Sequence, residues 1–380
     1  MRRAALTLAL ALVAAWPAIA AAPAPLPAPA PDDLVAPAHA PPPAAPTVPT
    51  LPPAPAETAA ANGDTAYGAF QRGHYLTAMN DALAQLKNGP DAAAMTLLGV
   101  LYQGGLGVPA DAKRAADWYR LGAEHGDRNA MVALALIEAK GAPGVAANPK
   151  EAADLFEKAA KAGDPVGQYN LALIYLGGKL RPQDDDKAAA LLKQAAEAGN
   201  ADAEYGYAEL LHYGRGTLKD PLAAARWMGR AAAQHQLDAE VEYAIMLFNG
   251  DGVVRDEKAA AALFRTAALR GSAIAQNRLA RLYAAGAGIE KDPVRAVAWH
   301  LLARARGEKD DWLDSLLKEM TPDQRQAAEA LSARLGAANP LGLAAATAPE
   351  ASPAPAAASA PAPVPPAPAA NLDAARPAGH

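Results

Sequence analysis

The sequence predicts an all-α protein, an α-solenoid built from antiparallel helix pairs. Equivalent glycines recur through the middle of the chain at spacings of 36 or 37 residues, each just before a short loop. A small residue lies six positions before each glycine, and a leucine or tyrosine lies immediately before that small residue. Large side chains beside small ones are typical of closely packed helices. The six reference glycines are Gly105, Gly141, Gly178, Gly214, Gly250 and Gly286.

A second column of large residues marks the second helix of each pair. This helix is rich in alanine, which favours helix formation, and it ends at a glycine or, once, at His235. Trp227 lies in a central pair, so we expect it to be buried against the adjacent hairpin. One pair cannot bury its own apolar face, and the pairs must therefore stack. The column consists of Trp118, Leu155, Leu191, Trp227, Leu263 and Trp299.

The loop Gly250-Asp251-Gly252 is acidic and could present oxygen ligands to a cation, or it could be a simple turn. The residue between the two glycines is Leu, Arg, Asp or Ala in different repeats. A metal ligand would not vary in this way, so the pattern favours a turn. Aspartates follow and should cap the second helices, where carboxylates suit exposed N–H groups. They are Asp111, Asp186, Asp220, Asp256 and Asp292.

The two ends of the chain differ from its middle. Residues 1–20 combine two arginines, an apolar run of about a dozen residues and a small-residue pattern, which predicts a signal peptide cleaved after Ala20. The run is shorter than the roughly 20 residues of a spanning helix, so the mature chain should have no integral membrane span. Residues 21–62 and 337–380 are rich in proline and alanine and are predicted to be disordered tethers. We therefore expect a periplasmic or secreted protein.

The repeats carry a family resemblance. The segment LGVLYQGGLGVPADAKRAADWYRLGAEHGD, residues 98–127, resembles the Sel1-like repeat, a relative of the tetratricopeptide repeat, and five further copies follow. Glu138 and the loop GGKLRPQDDDKAA depart from the pattern. The predicted repeat region covers residues 63–336: an N-terminal cap hairpin (63–88), six repeats (about 90–307) and C-terminal capping helices (308–336). The resemblance implies a non-enzymatic adaptor with protein partners.

Candidate catalytic and metal sites are weak. Ser315 and Lys318 have the Ser-x-x-Lys spacing of penicillin-recognising enzymes, but the companion motifs are absent. Glu209 and His212 have a Glu-x-x-His spacing, and a single copy cannot build a carboxylate-bridged metal site. We predict no catalytic residue, no metal and no cofactor. The net charge of −5 argues against nucleic acid as a partner.

The first helices supply a candidate binding groove. In tetratricopeptide-like solenoids they line the concave side, and positions nine, five and two residues before the reference glycine would face the groove. Several are large and apolar, which favours a site for a peptide or helix of another envelope protein. The alternative is that neighbouring repeats cover this stripe. The candidates are Tyr169, Leu173, Leu176, Tyr205, Glu209, His212, Val241, Ile245, Phe248 and Arg281.

Two other functions stay open at this stage. An envelope hydrolase, or a protein that binds β-lactams or peptidoglycan, would use Ser315 and Lys318, since a cysteine-rich branch of Sel1-like proteins has been linked to β-lactams. This chain has no cysteine. A mechanical role would instead use the proline-rich ends as spacers, because a polyproline segment extends about 3.1 Å per residue.

Overall fold

The computed structural model describes residues 65–338, and these form sixteen α-helices with one isolated β-bridge between Ala142 and Val145. The predicted signal peptide (1–20), the linker (21–62) and the tail from residue 339 onward lie outside the described residues.

The helices follow the predicted pairing. A short hairpin comes first, six pairs of thirteen-residue helices follow, and two further helices end the described chain. The hairpin consists of α1 (Thr65–Gln71) and α2 (Tyr75–Lys87). The pairs are α3 (Ala92–Gly104) with α4 (Ala112–Glu124), α5 (Arg128–Lys140) with α6 (Pro149–Lys161), α7 (Pro165–Gly177) with α8 (Asp185–Glu197), α9 (Ala201–Tyr213) with α10 (Pro221–Ala233), α11 (Leu237–Asn249) with α12 (Glu257–Leu269), and α13 (Ala273–Ala285) with α14 (Pro293–Ala305). The last two helices are α15 (Asp311–Glu319) and α16 (Pro322–Ala338).

The described chain divides into two compact units. The N-terminal unit contains residues 65–246 and 250–254, and the C-terminal unit contains residues 247–249 and 255–338. In the N-terminal unit, α5, α7 and α9 each pack against the second helix of their own pair and of the preceding pair. In the C-terminal unit, α13 packs against α12 and α14, and α16 packs on α14. This is the α-solenoid arrangement that the repeat spacing predicts.

The small residues of the first helices allow the close packing that the sequence predicts. Gly99 in α3 has no side chain, and a Cβ built there would lie 2.5 Å from the ring of Tyr119 in α4. Ala135, Ala172 and Ala208 occupy the same position in later repeats and are fully buried. Helix axes can approach closely at this level because one partner is always small.

In the second helices the buried large residue lies one position after the predicted one, although Leu155 and Trp299 of the predicted column are buried as well. Trp227 is only half-buried: its ring meets Tyr207 edge-on, and the Arg230 guanidinium lies 4.3 Å from its centroid. The prediction that Trp227 is buried is therefore wrong, and Met228, 2% exposed, fills that place. Successive helical residues point about 100° apart, so a one-residue error moves a side chain from core to edge. The buried column is Tyr119, Phe156, Leu192, Met228, Phe264 and His300.

The loop acids cap the helices, as the turn interpretation predicts. In each repeat the side chain of an Asp or Asn accepts a hydrogen bond from the backbone N–H three residues later. The one wrong assignment is Asp186, which lies in the first turn of α8, whereas Asp184 caps that helix and accepts from the Lys187 amide at 2.9 Å. Asp184 lies six residues after Gly178, the same interval that separates Asp220 from Gly214.

The second glycine of the Gly-x-Gly loops is required by a close backbone contact. Gly252 has φ +66°, and a Cβ there would lie 2.0 Å from the carbonyl oxygen of Pro221, the first residue of α10. Gly216 meets the carbonyl of Asp185 in the same way, at 2.0 Å. A side chain at either position would overlap the helix start of the preceding repeat. The loop glycines therefore set the approach of one repeat to the next.

A buried ion pair holds the C-terminal helices of the second unit. Asp310 caps α15 and receives two hydrogen bonds from the Arg281 guanidinium, at 2.6 and 3.0 Å, and one from Asn277 Nδ2 at 3.0 Å. The guanidinium also lies 5.6 Å from the Trp312 ring centroid. Burial opposes ionisation of Asp310, but the bonds from Arg281 and Asn277 and the nearby positive charge outweigh it and lower its pKa.

We expect Gly252→Ala to destabilise the N-terminal unit more than Gly163→Ala does. Both glycines have positive φ, +66° and +78°, but a Cβ at Gly163 has no neighbour within 4 Å. The control should lose about 1 kcal/mol of unfolding free energy from left-handed strain alone, and Gly252→Ala should lose at least about 1 kcal/mol more. Urea denaturation followed by circular dichroism measures the difference. Equal losses would contradict the backbone contact.

We expect the effect of Asp310→Asn on stability to depend on pH. Because the folded pKa of Asp310 is lowered, the stability that its charge contributes is fully present above the unfolded pKa of about 3.9 and is lost as the pH falls through the lower folded value. At pH 7 the variant should therefore lose about 3 kcal/mol of unfolding free energy, as when one partner of a buried ion pair is removed. The difference in unfolding free energy between variant and wild type should become smaller below about pH 4. Hydrogen exchange of α15 and α16 measures the stability of wild type and variant at each pH. A difference that does not change with pH would contradict a stabilising role for the ionised form of Asp310.

Candidate functional site: the outward face of the first helices

The outward face of α7, α9 and α11 is set by the positions twelve, eight and five residues before each reference glycine. These positions lie 4 and 3 residues apart, the spacing of one helix face. Side chains there are exposed or half-buried, while Gly206 leaves the middle position of α9 without a side chain. The face, as used below, consists of Val166, Asn170, Leu173, Asp202, Glu209, Asp238, Glu242 and Ile245.

The structure divides the ten candidate groove residues among three environments. Leu173, Glu209 and Ile245 lie on the outward face. Leu176 and Val241 are 1% and 5% exposed, so they belong to the core and offer no surface to a partner. The other five lie at edges or in internal contacts: Tyr169, Tyr205, His212, Phe248 and Arg281.

The predicted stripe therefore overlaps the outward face only in part. Position five is half-buried in all three helices, whereas positions nine and two combine half-buried side chains with the buried Val241 and Leu176. Arg281 in the C-terminal unit is held by Asp310. Phe248, in the same unit, has the Arg255 guanidinium 5.5 Å from its ring centroid.

Capping side chains fix where the three helices begin. Asp164 caps α7 by accepting from the Gly167 amide at 2.8 Å, and Asn200 caps α9 by accepting from the Ala203 amide at 2.8 Å. Gln236 caps α11 in the same way, with its Oε1 accepting from the Ala239 amide at 2.6 Å. These bonds place the first turn of each helix, and with it the acidic residues of that turn.

Two aspartates meet at the first turns of α9 and α11. The Gln236 amide nitrogen donates to Asp202 Oδ1 at 3.4 Å and also hydrogen-bonds the Asp238 carboxylate. Desolvation by surrounding atoms raises the pKa of Asp238, although its side chain is exposed; the Gln236 bond opposes this, and the charge of Asp202 adds to it. The two carboxylates therefore share one amide and repel each other.

Two tyrosines border the same acids. Tyr169 and Tyr205 are half-buried and pack at the edges of the hydrophobic clusters beneath α7 and α9. Burial raises the pKa of both hydroxyls, and nearby carboxylates raise it further: Asp202 and Asp238 for Tyr169, and Glu209, Glu242 and Asp238 for Tyr205. Both hydroxyls are therefore neutral at physiological pH, and their rings lie within electrostatic reach of the face acids.

A buried carboxylate beneath the face fixes the α9–α10 hairpin. Glu204 is fully buried and contacts Arg230 at 2.6 Å and Gln234 Nε2 at 2.7 Å. A buried charge without such partners would cost several kcal/mol. Glu204 is thus committed to holding α10 in place and is not available to a ligand.

His212 lies at the C-terminal end of α9. Its Nδ1 is 3.7 Å from Asp251 Oδ2, and its ring meets Tyr213 edge-on at 4.8 Å. Burial lowers the pKa of this imidazole; Asp251 opposes the shift and Lys219 adds to it. The ring is therefore neutral at pH 7, and the Asp251 of the acidic loop lies beside it.

Ser315, one of the weak catalytic candidates, makes an ordinary contact on a helix surface. The Ser315 hydroxyl donates to the Asp311 carbonyl one turn earlier at 2.9 Å, as serines on helix surfaces do. Among residues 65–338, no three His, Cys, Asp or Glu side chains are grouped so that they could hold a metal ion. Within the same range, no helix combines the length and the apolar character needed to cross a bilayer.

Comparison with solved structures finds repeat proteins of the same kind. A protective antigen of uropathogenic Escherichia coli, c5321, which displays an SLR fold, is 26% identical with a TM-score of 0.66; the match covers 78% of this chain and 65% of that protein. A Sel1 repeat protein from Oxalobacter formigenes is 31% identical with a TM-score of 0.53, and the match covers 63% of this chain and 70% of that one. A search of curated proteins finds no match.

The sequence profile of the Sel1 repeat matches six consecutive segments, which coincide with the six thirteen-residue helix pairs described above. Sel1 repeat proteins generally mediate protein–protein interaction. The matched segments are residues 92–127, 128–164, 165–200, 201–235, 237–272 and 273–308. This chain therefore belongs to the Sel1 repeat family.

Proposed function

We propose that this protein is an exported, non-enzymatic interaction scaffold that binds a segment of another envelope protein on the outward face of α7, α9 and α11. The observation that carries the proposal is the face itself. It presents the exposed Val166 and the half-buried Leu173 and Ile245, together with carboxylates, on helices whose other sides pack on the core. Exposed apolar side chains grouped with polar ones are typical of partner sites.

The rigidity of the frame supports the same function. The caps fix the helix starts, and Glu204 with Arg230 locks the hairpin below. A partner would therefore meet a surface that is already formed, and the free energy of ordering that surface would not be subtracted from binding.

Export is the part of the proposal that rests on residues 1–20 alone. Their two arginines, apolar run and small-residue pattern support a cleaved signal peptide. The absence of cysteine suits a protein whose stability comes from stacked helix pairs. Fractionation of cells, with sequencing of the mature N-terminus, tests this part independently of binding.

Site-specific photo-crosslinking tests where partners bind. A benzophenone amino acid at Leu173 or at Ile245 should give crosslinked products in living cells, because both side chains lie on the outward face. The matched controls are Lys193 in α8 and Arg226 in α10, which are exposed on second helices and should give few products. Mass spectrometry of the products identifies the crosslinked proteins.

Circular dichroism of the four labelled proteins shows whether each one folds. Equal crosslinking from the face positions and the controls, in folded proteins, would contradict binding on this face.

A further inference from the structure

The first helices α7, α9 and α11 have an unusual distribution of charge. Together they contain six acidic residues and no lysine or arginine. Glu204 and Glu240 are buried, and the remaining four, Asp202, Glu209, Asp238 and Glu242, lie on the outward face. The second helix α10 carries two arginines and no acid, while α8 carries two lysines and three acids. The acids of the first helices therefore lie on α9 and α11, and in the α9–α10 pair the negative charge lies on the first helix.

The contacts around Asp202 and Asp238 indicate that a cation bound between them would be stabilised by both carboxylates. The Gln236 amide lies between the two carboxylates and is a neutral donor. The pKa of Asp238 is raised by desolvation and by the neighbouring carboxylate despite that bond. An ammonium or guanidinium group placed between the two would replace repulsion with attraction.

The two tyrosines beside these acids would also attract a cation. Tyr169 interacts electrostatically with Asp202 and Asp238, and Tyr205 with Glu209, Asp238 and Glu242. Aromatic rings attract cations through their faces, and carboxylates beside them add charge-assisted hydrogen bonds. Leu173 and Ile245 offer apolar contact on the same face.

We propose that the segment bound by this face is basic: a peptide of another protein that carries lysine or arginine together with apolar side chains. The inference rests on the proposed function and names its class of partner. Charge complementarity selects this occupant, because a negative face repels nucleic acid and anionic lipid headgroups.

Binding of synthetic peptides tests the proposal directly. The probes are peptides of about twelve residues with a fixed leucine and phenylalanine pattern and zero, two or four lysines, together with versions in which glutamate replaces every lysine. Fluorescence anisotropy on the full chain should show affinity that rises with lysine number and falls with salt. Peptides without lysine, and the glutamate versions, should bind at least about tenfold more weakly.

Charge reversal locates the binding site. The double variant Asp202→Lys with Asp238→Lys should lose at least about tenfold in affinity for the four-lysine peptide and should gain affinity for its glutamate version. The matched control is Glu124→Lys with Glu197→Lys, which changes the net charge equally in the last turns of α4 and α8. The control should bind the four-lysine peptide as wild type does. If the lysine pair does not fold, Asp202→Asn with Asp238→Asn gives the same test with a smaller loss.

The outcomes separate this inference from the function on which it rests. If Leu173 and Ile245 crosslink cellular partners but the peptides bind without regard to lysine, the scaffold stands and the basic partner is overturned. If neither crosslinks nor peptide binding occur at the face, both are overturned. If wild type self-associates in sedimentation and the Asp202→Lys, Asp238→Lys variant does not, the occupant is a second copy of this chain, which also overturns the inference.

Discussion

The contact between a loop glycine and the preceding repeat determines how closely successive helix pairs approach in the N-terminal unit. Gly216 and Gly252 each place their backbone against the carbonyl oxygen of the first residue of a second helix, in space that no side chain can enter. Positive φ alone would favour glycine, and the contact requires it. Because the same contact recurs, α7, α9 and α11 present equivalent positions at regular intervals. A face made from three helices depends on that regularity.

Two buried carboxylates of the described residues, Glu204 and Asp310, are each held by an arginine and an amide side chain. Glu204 is fully buried and bound by Arg230 and Gln234, while Asp310 is bound by Arg281 and Asn277. Each pair joins elements about 30 residues apart, so each helps to fix the packing of neighbouring helices. The desolvation of these ions makes their net stabilisation small, but removal of one partner would be costly.

The spacing of glycines and alanines in the sequence is enough to predict the repeats, the helix pairs and the turn role of the acidic loops. The direction in which individual side chains point could not be predicted from it. In α7 most residues are apolar on every side, and in α10 the large side chains of Trp227 and Met228 are adjacent, so periodicity could not distinguish Leu176 or Trp227 from its neighbour. The Arg281–Asp310 pair spans 29 residues, and no local pattern signals it. Asp202 and Asp238 were missed, although they occupy one repeat position 36 residues apart.

Helix stability offers a rival explanation for some of the acids on the face. Asp202 and Asp238 lie in the first turns of α9 and α11, where a carboxylate is favoured by the helix dipole by about 0.3–1 kcal/mol. That explanation fails for Glu209, which lies in the C-terminal half of α9, and for Glu242, which lies in the middle of α11. Neither gains from the dipole, and each adds negative charge to a surface where desolvation and the charge of Asp202 already raise the pKa of Asp238. Helix stability therefore accounts for only part of the negative charge on this face, and a positively charged partner would be attracted by all four carboxylates.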